Sequence, residues 1–592
     1  MERHELFSRT LRCARILLRG LKFRRGPFGT GKSREANIMK MFQNKLSMGS
    51  EHIPSRRRIG AMGAVLLVIV GILIGTQIQN VFSGDNIYQQ IEKFKDVLSL
   101  ADKYYVDNID TQKLVDAAIN GMLSQLDPHS VYIPAKETQA ISEEFSGSFE
   151  GIGIEFDVVN DTLLVVSPIS GGPSEMLGIQ AGDKIIQIDG KSCIGITADE
   201  VRGKLRGPKG TKVNVTIIRQ GVEKPLDFEI TRDKVSIYSV GASFMVNHDV
   251  GYVEVNRFAE TTDKELEEAL AKLKLEGMKG LILDLRDNPG GLLNEAVDVA
   301  SEFIPKGKTI VYTKGRVGEA NENFPSNGGS YTRLPLIVLV NGGSASASEI
   351  VSGAIQDLDR GLIVGETSFG KGLVQRQFSL DDGSAVRITI ARYYTPSGRL
   401  IQRPYGKDRI KYFEGAEEID SSEKSGSNLS HTLENDTSRP VFKTASGRTV
   451  YGGGGITPDY IVKMDTIPSF VYQMEAKRIF LQYVDDHYSQ FREKLTREYG
   501  DAERFDEEFQ VESNMLDDIF NKAEKAGVKV NKNDYDKNSK YVTMLMKAQI
   551  ARNIWGNDGW SRSVLPYDNQ FQKALTLFPE ARQIAGLELD KN

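Results

Sequence analysis

One stretch of the sequence combines a buried strand, a glycine turn and a helix, and it carries three serines at the turn. An apolar run at 336–340 predicts a β-strand, and Gly342 and Gly343 end it. The residues that follow recur at helical spacing, so a helix is expected to begin within Ser-Ala-Ser-Ala-Ser-Glu at 344–349. A serine there has free backbone amides beside it at the positive end of a helix, and such amides can hold an oxyanion. The alternative interpretation is an ordinary helix N-cap, for which serine is a favoured residue.

A nucleophilic serine requires a base, and the sequence offers a lysine rather than a histidine near this turn. The chain has no histidine between His248 and His431. Lys371 is flanked by two glycines and lies close to Phe369, after a second predicted strand at 362–365. Burial disfavours the ammonium form, and lowering a lysine pKa from about 10.4 to the range 7–8 costs about 4 kcal/mol. The alternative is an exposed loop lysine without a catalytic role.

The serine run and the segment Thr-Ser-Phe-Gly-Lys-Gly-Leu-Val-Gln at 367–375 together resemble motifs of the carboxyl-terminal processing peptidases, also called tail-specific proteases. These are serine endopeptidases with a Ser/Lys dyad. The resemblance implies that Ser346, the middle serine, is the nucleophile and that Lys371, 25 positions later, is the base. It also implies that Gln375 orients the lysine amine. That contact requires a bend in the chain, because four residues of regular strand span about 13 Å.

The same resemblance implies an oxyanion hole and a catalytic fold. A predicted buried strand at 280–285 runs into Arg-Asp-Asn-Pro-Gly-Gly, which is similar to the family's D-L-R-x-N-P-G-G element. By this likeness one oxyanion amide comes from Gly290 or Gly291 and the other from Ala347. Without the likeness, the Asn-Pro-Gly-Gly loop would be interpreted as an ordinary turn. Strands and helices alternate over 237–400, which indicates βαβ units. The family's core is an α/β fold of the crotonase and Clp-protease kind.

A PDZ domain is predicted over 145–236, inserted before the catalytic core. Gly-Ile-Gly-Ile at 151–154 opens an alternating strand, and a helix is predicted at 198–205. PDZ domains bind a peptide as an added strand and hold its C-terminal carboxylate on backbone amides. The peptide contacts expected from this likeness are Gly151, Ile152, Gly153, Ile154 and Leu205. In the family an arginine of this domain can gate the active site, and Arg206 and Arg219 are both candidates.

The N-terminal part of the sequence predicts a membrane anchor. The segment 59–84 has no charged residue and is long enough to cross about 30 Å of hydrocarbon. Arginines at 56–58 predict that the basic tail, 1–58, stays in the cytoplasm. The expected location is thus a single-pass protein of the inner (plasma) membrane with its catalytic part in the periplasm. A cleaved signal peptide is the alternative, although no clean cleavage site follows.

The remaining regions are assigned from their residue patterns. Helical spacing predicts a helical region over 85–142. The run Leu-Asp-Pro-His-Ser-Val-Tyr at 126–132, which ends its second helix, resembles a family segment that contributes to dimer contacts, so a homodimer is expected. His129, in the turn that ends its second helix, is interpreted as structural. The protease core is predicted over 237–467 with a polar insertion at 403–445. A helical C-terminal extension over 468–592 has no role that the sequence assigns.

Charge and ligand content restrict the partners. The net charge is −5 with acids and bases interspersed, which gives no electrostatic case for nucleic acid. Cys13 and Cys193 lie on opposite sides of the predicted anchor, so no intrachain disulfide is expected. Six scattered histidines show no ligand spacing, so neither a metal nor another cofactor is expected.

Together these patterns predict a membrane-anchored serine endopeptidase. Its PDZ domain is expected to recognise polypeptide C-terminal tails, which Ser346 and Lys371 cleave through an acyl-enzyme. The alternative is a catalytically silent PDZ scaffold or adaptor in the cell envelope.

Overall fold

The computed structural model describes residues 87–406, 408–409, 411–413, 425–429, 439–529 and 532–587. By its internal contacts the chain forms two units, Met1–Ile109 and Asp110–Asn592. The described part of the first unit is helix α1 (Ile87–Tyr104), which has no buried residue. Most of its large apolar side chains are exposed.

The described helices correct the predicted fold class. Within these ranges, no helix is both long enough and apolar enough to span a membrane. The transmembrane helix of the predicted fold class is therefore not supported, and the architecture is an α/β fold with a PDZ-like domain and further helices. The predicted anchor at 59–84, the basic tail at 1–58 and part of the insertion at 403–445 lie outside the described residues.

The second unit begins with a short segment that leads into the PDZ-like domain. Its elements are α2 (Thr111–Leu123), β1 (Val131–Ile133) and α3 (Ala135–Phe145). Asp110 is the N-cap of α2, and its carboxylate accepts hydrogen bonds from the amides of Gln112 and Lys113.

The PDZ-like domain is a twisted antiparallel sheet with two helices. Its elements are β2 (Ser148–Gly151), β3 (Ile154–Val159), β4 (Thr162–Pro168), α4 (Pro173–Met176), β5 (Lys184–Ile188), β6 (Lys191–Ser192), α5 (Ala198–Leu205), β7 (Lys212–Ile218), β8 (Leu226–Thr231) and β9 (Asp233–Ser236). The strand order is β3-β4-β5-β7-β8, with β6 beside β5, so β3 is an edge strand. Strands β2 and β9 pair separately where the chain enters and leaves the domain.

The catalytic part begins with strands and helices that alternate. Its elements are β10 (Val240–Met245), β11 (Val250–Val255), α6 (Thr262–Leu275), β12 (Gly280–Asp284), α7 (Leu293–Ser301), β13 (Thr309–Gly315), a 3₁₀ turn (Gly318–Ala320), β14 (Glu322–Pro325), β15 (Leu336–Val340), α8 (Ala347–Asp357), β16 (Leu362–Gly365), β17 (Leu373–Ser379) and β18 (Ala385–Tyr394). Four short strands follow, β19 (Gly426–Ser427), β20 (Val441–Lys443), β21 (Thr449–Tyr451) and β22 (Tyr460–Ile461).

The main sheet has the strand order β10-β11-β12-β15-β16-β22-β19. Strands β11, β12, β15, β16 and β22 are parallel to one another, and β12 and β15 are buried along their whole length. Complete burial of a parallel strand is expected when helices cover both faces of the sheet. A second sheet pairs β1-β18-β13-β14, with β17 also beside β18.

The C-terminal region is helical. Its elements are α9 (Ser469–Ala476), α10 (Ile479–Tyr499), α11 (Ala502–Glu508), α12 (Ser513–Lys525), α13 (Lys532–Val564), a 3₁₀ turn (Leu565–Tyr567), α14 (Asn569–Leu575) and α15 (Phe578–Ile584). Helix α13 is kinked at Gly556, whose φ of 68° lies in the left-handed region.

The two faces of the main sheet are covered by helices from different parts of the chain. Helices α6, α7 and α8 pack on one face, where Leu283 and Val338 belong to the largest hydrophobic core. Helices α14 and α15 cover the other face through Phe571, which packs with Ile282. The end of the predicted C-terminal extension is thus an integral layer of the catalytic fold.

Candidate active site

Three loops at one edge of the main sheet form the site. They follow β12, β15 and β16, which are adjacent and parallel, so their carboxyl ends meet at the same edge. A cavity of about 550 Å³ opens there. All six residues predicted for the catalytic dyad, its orienting group and the oxyanion hole line this cavity, namely Gly290, Gly291, Ser346, Ala347, Lys371 and Gln375.

Burial distinguishes the three serines of the turn. Ser344 and Ser348 are fully buried, and their hydroxyls donate to the backbone oxygens of Leu285 (2.7 Å) and Asn288 (2.9 Å). Both hydroxyls therefore serve to join the turn to the preceding loop. Ser346 is only partly buried and lines the cavity. Of the three serines, Ser346 is the one placed to meet a substrate.

The backbone of Ser346 is strained in a way that points its side chain outward. Its φ of 55° and ψ of −107° fall outside the regions that non-glycine residues readily adopt. The buried Tyr393 supports this geometry, since its hydroxyl donates to the Ser346 carbonyl oxygen at 3.1 Å. A strained residue at a strand-to-helix turn is typical of a site where one side chain must be held in the open.

The buried carboxylate of Glu349 joins the serine turn to the lysine loop. Its Oε2 accepts hydrogen bonds from the amides of Ser346 (2.8 Å) and Lys371 (2.9 Å). Its Oε1 accepts from the Gly370 amide (2.7 Å) and the Ser368 hydroxyl (2.5 Å). Burial raises the pKa of Glu349, and these four donated hydrogen bonds oppose that shift. One carboxylate thus holds the backbones of the two predicted catalytic residues together.

Lys371 lies in surroundings that favour its neutral form. Its pKa falls from 10.5 to about 8, first because burial disfavours the ammonium and second because the positive charge of Arg387 repels it. The negative charges of Glu349 and Asp127 oppose the shift. At pH 7 about one lysine in ten is then neutral, against about one in several thousand for an unperturbed lysine.

Two backbone amides among the residues that line this cavity are free to bind an oxyanion. The amides of Ala347 and Gly291 donate no hydrogen bond within the described part of the chain. The Gly290 amide, in contrast, donates to Asn288 Oδ1 at 2.9 Å, so of the two glycines Gly291 is the one whose amide is unbound in this geometry. Gly290 packs so closely that a Cβ there would lie 2.8 Å from the Ala347 nitrogen and 2.8 Å from Ser346 Cβ.

Gln375 lines the same cavity, but its amide group is hydrogen-bonded elsewhere. Its Nε2 lies 3.5 Å from the oxygen of Leu373 and 3.5 Å from Oγ1 of Thr389. A register shift in the β17–β18 pairing between Val374 and Gln375 provides a local irregularity of the strand. The role of Gln375 in orienting the lysine amine stays a prediction.

Sequence reasoning did not single out Glu349, Tyr393 or Arg387, each of which shapes the site. The position of Glu349 in an apolar helical segment could have indicated its role, because a buried carboxylate requires hydrogen-bond donors around it. Tyr393 and Arg387 lie on β18 and reach the cavity only through the fold, so nothing in their local sequence marks them.

His129 takes part in an aromatic cluster rather than in the cavity lining. Its Nε2 lies 3.0 Å from the Tyr412 hydroxyl, and its ring packs edge-on against Phe369 and Tyr412. Burial, first, and the nearby charge of Lys371 lower the pKa of His129 to about 4, so the ring is neutral.

Among the residues that the structure describes, no group of three or more His, Cys, Asp or Glu is placed to hold a metal ion.

The predicted PDZ contacts line a second cavity, of about 570 Å³. Ile152, Gly153, Ile154 and Leu205 form part of its wall, next to the edge strand β3. In the described residues, the amides of Ile152 and Gly153 donate no hydrogen bond, as a carboxylate-binding loop requires. Gly151 does not line the cavity, because it ends β2 and pairs there with Asp233 of β9.

The two candidate gating arginines have different surroundings. Arg219 is bound within the PDZ-like domain, where it pairs with the buried Asp183 at 2.7 Å. Arg206 follows α5 and pairs with Glu143 of α3 at 2.5 Å, with its guanidinium over the Phe149 ring. Arg206 is therefore the candidate that connects the domain to α3, the helix whose residues Glu144 and Phe145 line the active-site cavity.

A partly buried serine that faces a cavity from a strained strand-to-helix turn, with free amides in the same cavity, defines a serine peptidase on an α/β fold. The family model for peptidase family S41 matches residues 249–410, and a PDZ-domain model matches 164–219. The chain belongs to the carboxy-terminal processing proteases of this family. Further models match at 75–138, described as the activating protease CtpB N-terminal domain, and at 470–556, described as a family of unknown function.

Two curated relatives carry this assignment. A carboxy-terminal-processing protease of Bartonella bacilliformis is 45% identical over 322 residues, which cover 54% of this chain and 74% of that protein. The carboxy-terminal processing protease CtpA of Bacillus subtilis is 38% identical over 330 residues, which cover 56% of this chain and 70% of that protein. A solved photosystem II D1 C-terminal processing protease is 32% identical, covering 52% of this chain and 89% of its own, with a TM-score of 0.30. The assignment rests on the sequence relatives.

Proposed function

We propose that Ser346 and Lys371 act as a catalytic dyad that cleaves polypeptide chains near their C-termini through an acyl-enzyme. The observation that carries this proposal is the shared carboxylate of Glu349, which binds the backbones of both residues at one edge of the sheet. The lowered pKa of Lys371 and the free amides of Ala347 and Gly291 support it. The names of the two curated relatives support the choice of chain ends as substrates.

The chemistry follows from these groups. Neutral Lys371 accepts the proton of the Ser346 hydroxyl while Oγ attacks the peptide carbonyl carbon. The oxyanion that forms is stabilised by the amides of Ala347 and Gly291. The lysine ammonium then protonates the leaving amine, the C–N bond breaks and an ester to Ser346 remains. Water, deprotonated by Lys371, hydrolyses this ester and releases the new C-terminus.

The PDZ-like domain supplies the recognition step in this proposal. A polypeptide tail adds to the edge strand β3, and its terminal carboxylate binds the free amides of Ile152 and Gly153. The apolar side chains of Ile154 and Leu205 suit an apolar last residue. The tail is held there while the chain upstream of it enters the cavity at Ser346.

The decisive experiment compares the wild-type chain with the Ser346→Ala variant on an unfolded protein. Mass spectrometry of the products should show new C-termini with the wild type and none with the variant. The Ser348→Ala variant is a matched control, because that hydroxyl is buried and points away from the cavity. If wild type and Ser346→Ala cleave equally little while both remain folded, the chain is a PDZ scaffold.

The pH dependence of cleavage should follow the titration of Lys371. Because the neutral amine is the base and its pKa is about 8, kcat/KM should rise with pH and reach half its maximum near pH 8. An unperturbed lysine would place this midpoint above pH 10. The measurement is the initial rate of peptide hydrolysis from pH 6 to 10. A rate that is flat over this range would contradict the assigned base.

Arg387 provides a sharper version of the same test. Its positive charge lowers the pKa of Lys371, so Arg387→Gln should move the midpoint of the pH profile to higher pH. Arg376→Gln is the matched control, since Arg376 lies on the adjacent strand β17 with an exposed side chain. An unchanged midpoint in Arg387→Gln would show that another group controls the profile.

The homodimer and the extracytoplasmic location of the catalytic part stay predictions. Support for a dimer comes from α1, where Ile91 and Phe94 are exposed side chains of the kind found at protein contacts. Sedimentation velocity at micromolar concentration tests the dimer, and a single monomer species would reject it.

A further inference from the structure

The C-terminal helices form the second wall of the PDZ groove. The cavity beside β3 is lined on one side by the PDZ-like domain and on the other by side chains of α9, α10 and α13 and the connection between α9 and α10. The residues of this second wall are Glu475, Arg478, Phe480, Leu481, Gln549, Arg552 and Trp560. An isolated PDZ domain would leave this side of its groove open to solvent.

Ion pairs and one apolar contact hold the second wall in place. Leu481 packs on Val159 and Leu164 of the PDZ sheet, where all three side chains are buried. Three ion pairs cross the same junction, Arg478–Asp157 (2.9 Å), Lys184–Asp485 (2.8 Å) and Arg552–Glu155 (3.7 Å). The second wall is therefore held by direct contacts to β3, β4 and β5 of the PDZ-like domain.

A peptide bound at β3 would present both of its faces to protein. Successive side chains of an added strand point to opposite sides. One set points toward α5 and Leu205, as in other PDZ domains. The other set, which would meet water in an isolated domain, points toward the C-terminal wall. The sequence of a bound tail is then read at consecutive positions rather than at alternate ones.

The carboxylate of Glu475 differs from the other charged groups that line this groove. The six other charged residues that line it take part in four ion pairs: Asp157 with Arg478, Glu155 with Arg552, Arg202 with Asp199, and Arg206 with Glu143. Glu475 is half-buried, and within the described residues its carboxylate takes part in neither a hydrogen bond nor an ion pair. Burial raises its pKa, and the positive charges of Arg478 and Arg552 only partly offset this. A cationic group brought next to it would stabilise the carboxylate.

We propose that helices α9, α10 and α13 are part of the peptide-binding site, and that Glu475 selects tails with a lysine or arginine close to an apolar last residue. This inference rests on the proposed recognition of tails by the PDZ-like domain. It assigns a role in substrate selection to a region of which residues 470–556 match a model described as a family of unknown function.

Binding is measured by fluorescence anisotropy with the full chain carrying Ser346→Ala, so that no probe is cleaved. The probes are labelled decapeptides with a free C-terminal carboxylate and a leucine as the last residue, and each is also made with a C-terminal amide for comparison. They differ only in the two residues before it, which are both lysine, both alanine or both glutamate. Lysine tails should bind about fivefold more tightly than alanine tails, and glutamate tails more weakly than both.

Glu475→Gln keeps the shape of the side chain and removes its charge, so it should abolish the preference for lysine tails over alanine tails. Glu475→Lys should reverse the preference toward glutamate tails. Glu493→Gln, an exposed site on α10 away from the groove, is the matched control and should behave like the parent. Thermal unfolding verifies that each variant is folded. The order in which the parent chain binds the three tails tests the inference without any substitution at Glu475.

The outcomes separate this inference from the proposed function. If free-acid tails bind but lysine gives no advantage, or the advantage survives in Glu475→Gln, the role of the C-terminal wall is wrong and PDZ recognition stands. If amidated tails bind as well as free acids, or no tail binds, recognition of C-termini fails and this inference fails with it. Cleavage by Ser346 is measured separately and is affected by neither result.

Discussion

Replacement of Lys371 by methionine is expected to lower kcat/KM for a tail peptide by about 10⁴-fold. Methionine fills a slot of similar length without a titratable amine, so the buried surroundings remain packed while the base is lost. The Ser346 hydroxyl then has no group to accept its proton. The measurement is single-turnover hydrolysis at pH 8, near the pKa of about 8 where the wild-type lysine is half neutral.

Lys371→Arg separates the loss of the base from the loss of the charge. A guanidinium keeps the positive charge but does not deprotonate in proteins, so this variant should be as inactive as the methionine variant. Arg376→Lys, on the exposed part of β17, should retain wild-type rates. A methionine variant within about tenfold of the wild type would mean that Lys371 is not the base.

Replacement of Glu349 by alanine is expected to abolish activity and to destabilise the catalytic core by about 4 kcal/mol or more. Four hydrogen-bond donors lose their acceptor, and each unsatisfied buried donor costs about 1–3 kcal/mol. The thermal unfolding midpoint of the core should fall by about 10 °C. Hydrogen exchange at the amides of Gly370 and Lys371 should accelerate, because these amides bind the carboxylate directly.

The Glu349→Gln variant tests whether charge or shape matters. A glutamine has one acceptor oxygen and places its NH₂ group against two donors, so it should satisfy only half of the hydrogen bonds. We expect an intermediate loss of stability and a large loss of activity. Glu302→Gln is a control, since this buried carboxylate on another surface of the core accepts from the Ser330 amide at 3.4 Å. If Glu349→Gln keeps full activity, the shared carboxylate does not position the dyad.

Local patterns in the sequence were sufficient for the main elements of the catalytic fold. The apolar runs at 336–340 and 362–365 form buried strands, and the serine run begins helix α8. Such patterns are readable because burial and backbone hydrogen bonding impose a period on neighbouring residues. The resemblance to tail-specific proteases added the pairing of Ser346 with Lys371, and the structure places both at one cavity.

Expectations about the membrane had a different outcome. The predicted transmembrane helix is not supported by the described helices, and the segment expected to form it lies outside them. An apolar run in the sequence indicates only that burial is favourable, whereas its surroundings depend on the folded chain.

By itself, the sequence determined the buried strands at 280–285, 336–340 and 362–365, the candidate serine turn and the lysine loop, because each depends on residues close together in the chain. Only the tertiary structure decided which serine faces the cavity, that Glu349 joins the two loops, and that Gly291 rather than Gly290 has a free amide. It also decided that C-terminal helices complete both the main sheet and the PDZ groove. These features arise from contacts between residues far apart in sequence, and such contacts leave no periodic signal in the chain.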